Sequence, residues 1–283
     1  MIPVAFDYEV AESVDHALEL LGQHGDEAKL LAGGHSLLPI MKLRLAAPAI
    51  LVDLGRVPDM NYVRDDGDHL AIGAMTRHTD VEHDPIIQEH CGILSYTASL
   101  VGDPMVRHRG TIGGSVSHAD AASDLPTALL ALDANFKIKG PGGERTVAAG
   151  DFFKDYLMSD LAADEVLTEI QVPKLSASTG WSYRKFNRRS QDWAVVGVAA
   201  VVEKSNGNVG SARLALTNMG STPLRASAAE SALSGAEVGS VAEATRSADE
   251  GTEPSSDIAA SSEYRRHLAR VLSKRAVEEA LGR

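Results

Sequence analysis

The chain has 283 residues, 44% of them hydrophobic, and 27 Lys and Arg against 39 Asp and Glu give a formal net charge of −12. That length permits two domains of ordinary size, and the acidic balance disfavours nonspecific nucleic-acid binding. No window approaches the roughly 18 to 20 apolar residues of a membrane span, and residues 1–7 carry neither a charged leader nor a long apolar core, so no secretion signal is expected.

Ser13 is placed to cap a first helix in which Val14, Ala17, Leu18 and Leu21 recur at helical spacing, ended by Gly22 or Gly25. Residues 29–32 read as a short strand that delivers a glycine turn, Ala32-Gly33-Gly34-His35-Ser36. Residues 37–45 read as a helix with Pro39 in its first turn, and residues 49–54 as a strong strand. A strand follows at 70–74, then helices at about 79–89 and 93–101. The second glycine turn comes next, Thr111-Ile112-Gly113-Gly114-Ser115, after Arg107-His108-Arg109. Ser123 is an N-cap for a helix to about Leu132, with Pro126 early in it. Residues 135–139 and 144–148 flank Pro141-Gly142-Gly143, a hairpin signal. Val166, Thr168, Ile170 and Val172 mark a strand ending at Pro173, and the polar stretch 174–180 is the expected domain boundary. Strands at 181–186, 194–203 and 209–217 follow, the last two joined by Asn206-Gly207. Helices at about 226–233 and 238–248, a polar loop at 249–257 and a helix at 264–281 with Leu268, Val271, Leu272 and Leu281 inward complete the chain.

The single cysteine, Cys91, is expected to be a half-buried structural thiol and suits a reducing cytoplasm. Alone it can form no internal disulfide and hold no iron–sulfur cluster or structural zinc. The ten histidines show no H-x-x-H or H-E-x-x-H pattern. The informative feature is the pair of glycine turns. Small residues in a row let several backbone N–H groups point one way with no Cβ in front of a ligand. Two such turns suggest one long anionic ligand held from two sides. The G-x-G-x-x-G and G-x-x-x-x-G-K-[ST] patterns are absent, which disfavours a Rossmann fold or a phosphoryl-transfer enzyme. Physics alone stops at a pair of anion-cradling loops.

The stretches 29–39 and 109–115, together with Ala119-Asp120-Ala121-Ala122-Ser123-Asp124-Leu125-Pro126 and residues 185–194, resemble the FAD-binding (medium) subunits of molybdenum hydroxylases, the xanthine dehydrogenase family. The A-G-G-H-S-L-L-P form looks most like the aerobic carbon monoxide dehydrogenase type. The resemblance runs over nearly the whole chain with the motifs in order. It implies an α+β fold: a two-lobed FAD-binding domain (PCMH-type) at 1–176, with lobes of about 1–55 and 56–176, then a smaller antiparallel-sheet-plus-helices domain at 177–283.

The resemblance also implies roles. Ala32, Gly33, Gly34, His35, Ser36 and Leu37 would wrap the FAD diphosphate through backbone N–H groups, Ser36 adding its hydroxyl. Thr111, Ile112, Gly113, Gly114 and Ser115 would hold it from the far side by backbone contacts. Many relatives carry Asn or Asp at the last of these. Asp124 would contact the nucleotide end of FAD or support the helix that Ser123 caps. Leu167 and Lys185 would lie near the ring portions of the cofactor, the alternatives being plain core for Leu167 and solvated surface for Lys185. Trp193 would pack on the ring system or fill the core, and Val101 would touch the ring or pack its helix. His35 is expected to hydrogen-bond locally or face the ligand rather than act as a base. Arg107 and Arg109 would steer the cofactor's charge or be a solvated pair. No catalytic or metal-binding residue is expected in this chain. The implied partners are a large molybdenum-cofactor subunit and a small subunit with [2Fe-2S] clusters, in a dimer of heterotrimers. The implied location is the cytoplasm, with peripheral contact to a quinone-reducing membrane admitted. Two rivals remain at this point: a self-contained flavoenzyme of the same fold, and a non-redox nucleotide-binding module.

Overall fold

A computed structural model describes all residues from Met1 to Arg283. The first lobe is a parallel sheet of three short strands. Strand β1 (Asp7–Val10) leads into helix α1 (Val14–His24), β2 (Ala28–Leu31), helix α2 (Leu37–Lys42) and β3 (Ile50–Asp53), in sheet order β1-β3-β2. The Ser13 hydroxyl accepts the His16 N–H at 3.0 Å and Gly25 ends α1 at φ 56, as the capping residues require. In a parallel sheet the loops after the C-terminal strand ends are where ligands gather, and the first glycine segment leaves β2 at that end.

The second lobe is built on a five-stranded antiparallel sheet. It begins with β4 (Val63–Asp65) and β5 (His69–Gly73), continues through helices α3 (His78–His83), α4 (Pro85–His90), α5 (Gly92–Ser99), α6 (Pro104–Arg107), α7 (Ile112–His118) and α8 (Asp124–Ala131), and returns as β6 (Asn135–Gly140) and β7 (Gly143–Ala148). A short helix α9 (Ala149–Phe152) and the small pair β8 (Phe153–Asp155) and β9 (Met158–Ser159) precede the central strand β10 (Val166–Pro173), in sheet order β4-β5-β10-β6-β7. The register of β10 against β6 slips between Leu167 and Glu169, while on its other edge the Thr168 carbonyl accepts the Ala74 N–H at 3.0 Å, one step past the Glu169–Gly73 pair. Helices α1 and α7 both pack against β10, which joins the lobes.

Residues 174–178 lead into an antiparallel sheet of β11 (Thr179–Phe186), β12 (Val196–Ser205), β13 (Asn208–Thr217) and β14 (Leu224–Arg225). Helices α10 (Ser227–Leu233), α11 (Val241–Ala244) and α12 (Ser262–Gly282) follow. Strand β12 reads Val-Gly-Val-Ala-Ala-Val-Val because both its faces are covered. Ala199 and Val201 join the core of the N-terminal half, while Val196, Val198, Ala200 and Val202 face the core under α12. Asn206 and Gly207 take φ 51 and φ 82, the two positive values of a type I′ hairpin.

Several expectations are corrected. The helix expected over 79–89 is two, because Asp84 accepts the N–H groups of Ile86 and Ile87 and Pro85 starts a new helix. The helix expected at 238–248 is a short α segment flanked by 3₁₀ turns. Cys91 is fully rather than half buried, and burial pushes its thiol up to about 12. The second glycine segment is not a turn but the start of helix α7.

Candidate functional site

The two glycine segments meet. A Cβ on Gly33 would fall on the carbonyl oxygen of Arg109 and stand 2.8 Å from Gly110 Cα. Gly33 is therefore glycine for lack of room, and the loop after β2 lies directly on the chain that leads into α7. A Cβ on Gly114 would come within 3.5 Å of Ala32 Cβ, and His35 Nε2 lies 3.3 Å from Met105 O. Gly34 sits at φ 76, which favours glycine on conformational grounds, and its carbonyl accepts the Leu38 N–H at 3.0 Å to begin α2.

The amides of the two segments differ. None of the six N–H groups from Ala32 to Leu37 donates a hydrogen bond within the chain, and the Ser36 hydroxyl makes no capping bond. Six consecutive unengaged donors that run into a helix N-terminus are the kind of group that can receive an anion. In the second segment, Ile112 donates to Thr76 O at 2.9 Å and Gly113 to Ala74 O at 2.9 Å. Gly114 donates to Thr111 Oγ1 at 3.1 Å and Ser115 to Thr111 O at 3.0 Å. The expected backbone grip from Ile112 to Ser115 is therefore corrected: the cap and the bond to β5's continuation consume those donors. Only the Thr111 N–H remains unengaged. Gly113 is small because a Cβ would stand 2.5 Å from Ala74 O, so this segment supplies close packing and the Ser115 hydroxyl.

Around this junction the charge is basic. Arg109 is exposed and without an acidic partner, whereas Arg107 is held by Glu82 at 2.7 Å and by Val101 O at 3.2 Å. The pair expected from the sequence thus has one free member. His78 lies buried beneath Gly110, where a Cβ would meet its ring at 2.7 Å. Burial lowers its pKa to about 4, with His35 and Arg107 contributing, so the ring is neutral. No spacing in the sequence singles out His78; only Gly110 hints that something large sits behind it.

Asp124 and Lys185 meet each other. Lys185 Nζ donates to Asp124 Oδ2 at 2.7 Å and to Leu100 O at 3.0 Å, with the two side chains 5% and 6% exposed. The alternative of a solvated lysine is corrected. Tyr183 Oη donates to Asp124 Oδ1 at 2.8 Å, so both carboxylate oxygens are engaged. Burial pushes the Asp124 carboxyl up, although Lys185 and Tyr183 pull it back. Burial first, then Asp124, pushes the Tyr183 phenol well above its usual range. Leu167 is core, at the bulge of β10, and Val101 packs half-buried just past the end of α5. Trp193 does not fill the core: it is 60% exposed on the loop between β11 and β12.

The donor set fits a dinucleotide diphosphate: six adjacent amides, the Ser36 and Ser115 hydroxyls, the Thr111 N–H and the Arg109 charge. Comparison with known proteins agrees. The family model "FAD binding domain in molybdopterin dehydrogenase" matches residues 4–175, and "CO dehydrogenase flavoprotein C-terminal domain" matches residues 181–280. The chain is 42% identical over 287 residues to the carbon monoxide dehydrogenase medium chain of Hydrogenophaga pseudoflava, covering 100% of this chain and 99% of that one. It is 38% identical over 286 residues to the 6-hydroxypseudooxynicotine dehydrogenase complex subunit alpha of Paenarthrobacter nicotinovorans, covering 100% and 97%. Among solved structures, carbon monoxide dehydrogenase from Oligotropha carboxidovorans superposes with a TM-score of 0.98 at 38% identity over 100% of both chains. Quinoline 2-oxidoreductase from Pseudomonas putida gives 0.94 at 33%, over 100% and 99%. The chain belongs to the family of FAD-binding subunits of molybdopterin dehydrogenases. It is a flavoprotein subunit of an oxidoreductase complex, with the expected α+β fold of a two-lobed FAD-binding region followed by an antiparallel sheet backed by helices.

Proposed function

We propose that this chain is the electron-transfer subunit of a molybdenum hydroxylase complex of the carbon monoxide dehydrogenase type, and that residues 1–176 carry its FAD. The observation that carries this reading is the row of six unengaged amides from Ala32 to Leu37, pressed against the segment that leads into α7. When bound, FAD supplies exchange between one-electron carriers and a two-electron acceptor. The amide row and the start of α2 bind the diphosphate, Arg109 neutralises part of its charge, and Thr111 and Ser115 close the far side. Lys185 presents a cation to the ring end, and Trp193 covers it from the C-terminal half.

The partners in this reading are a large molybdenum-cofactor subunit and a small subunit with [2Fe-2S] clusters, arranged as a dimer of heterotrimers in the cytoplasm. The external acceptor is a quinone or another oxidant at the inner face of the membrane. No helix of the chain is long and apolar enough to cross a membrane. The test is reconstitution. The complex should show flavin absorbance that bleaches on addition of the partner's substrate, and this chain without its partners should not be reduced by that substrate. Reduction of the isolated chain by a small substrate would favour a self-contained flavoenzyme, and a complex without flavin would overturn the reading.

A further inference from the structure

The two halves of the molecule share one buried polar network. Besides the bonds of Lys185 and Tyr183 to Asp124, Tyr183 Oη lies 3.0 Å from Thr217 Oγ1, which is 2.8 Å from Thr127 Oγ1. Gly197 makes the room, because a Cβ there would stand 2.7 Å from Thr217 Oγ1 and 2.8 Å from Tyr183 Oη. A buried ion pair is a poor device for stability alone, since desolvation of both charges offsets their attraction. This pair has a second property. Lys185 is bonded to the Leu100 carbonyl, and the chain from Leu100 runs to Met105, whose carbonyl meets His35, and to Arg109, whose carbonyl backs Gly33. One segment therefore connects the ammonium to the amide row. Each Asp124 oxygen already accepts one hydrogen bond, and Lys185 uses two of its three N–H bonds.

We propose that Tyr183 is a positioning residue: by holding Asp124 it fixes the Lys185 ammonium, with one N–H free, where its charge tunes how readily the flavin accepts electrons. The inference rests on the reading that FAD lies against the amide row with its ring toward Lys185. Tyr183 is buried and bonded to Asp124, so in this reading it acts through the carboxylate. A fixed cation favours the negative charge added on reduction, so a displaced or missing cation lowers the midpoint potential.

The test is spectroelectrochemical titration of the flavin in complexes assembled with wild-type, Lys185→Met, Tyr183→Phe and Gly197→Ala chains. Lys185→Met should lower the midpoint potential, and Tyr183→Phe should lower it part of the way with flavin content retained. Gly197→Ala keeps every polar group but displaces both hydroxyls. It should shift the potential in the same sense, and it serves if Tyr183→Phe does not assemble. A purely structural tyrosine would lower the melting temperature and leave the potential at the wild-type value, which overturns the proposal. An unchanged potential in Lys185→Met overturns it as well. A wild-type complex that holds no flavin overturns the functional reading and this inference together, whereas a flavin-bearing wild type with unresponsive variants overturns this inference alone.

Discussion

At the scale of single residues, the glycines carry the site for different reasons. Gly33 is a matter of space and Gly34 of backbone conformation, while Gly113 admits the Ala74 carbonyl. Replacing Gly33 and Gly114 together with valine should abolish flavin retention while the C-terminal sheet stays folded. Absorbance of the purified complex checks the first part, and the protease resistance of the fragment from about residue 177 checks the second. Cys91 is fully buried with its thiol pushed up to about 12, so thiol reagents should leave the native protein unmodified at pH 8 and label it only in denaturant. Rapid labelling of the native chain would contradict its placement. The first glycine-rich loop was legible from the sequence because small residues in a row permit a tight turn and a close backbone approach, whereas the second segment begins a helix. The engagement of the Ile112, Gly113, Gly114 and Ser115 amides was not legible. Ile112 and Gly113 donate to the Thr76 and Ala74 carbonyls, which no local pattern connects to them, and Gly114 and Ser115 donate to Thr111, which caps a helix where a turn was expected. The Lys185–Asp124 pair was hidden for the same reason, since its members are 61 positions apart.

At the scale of elements, caps and turns were legible and breaks were not. Ser13 and Asn206-Gly207 act through neighbours one to three residues away, and the structure places them as read. The break at Asp84-Pro85 overrides a helical pattern by local chemistry that the periodicity masks. Helix α8 and strand β11 are joined by the buried Lys185–Asp124 pair. Lys185→Met should cost about 3–5 kcal/mol in denaturant unfolding, because it leaves a carboxylate buried without its cation. The double variant Asp124→Leu with Lys185→Met should recover much of that loss, and a double variant as unstable as the single one would contradict the pairing. The β6–β7 hairpin is tied down by Arg145, which holds Glu165 through two bonds of 2.7 and 2.6 Å and Asp160 at 2.6 Å. These bonds hold both carboxyls below their ordinary range. A lowered folded-state pKa adds stability above the unfolded pKa, and the gain is lost as the pH falls through the folded one. The advantage of the wild type over Arg145→Met in melting temperature should therefore persist at pH 5–7 and shrink below about pH 4. An advantage independent of pH would contradict this account.

At the scale of the whole molecule, the three larger sheets are tied together at few places. Strand β10 joins the lobes through α1 and α7, and β12 serves both cores with its alternate faces. The α+β architecture was legible through the family resemblance of the glycine-rich segments, and the order of helical and strand patterns accords with it. The paired turns led to the expectation of one ligand held from two sides; the direct packing of Gly33 on the Arg109 carbonyl was not foreseen. The most direct test of this account is a high-resolution map of the assembled, FAD-loaded complex. It should show diphosphate oxygens within about 2.7–3.2 Å of amides in the row from Ala32 to Leu37. A diphosphate bound elsewhere, with those six amides facing water, would contradict it.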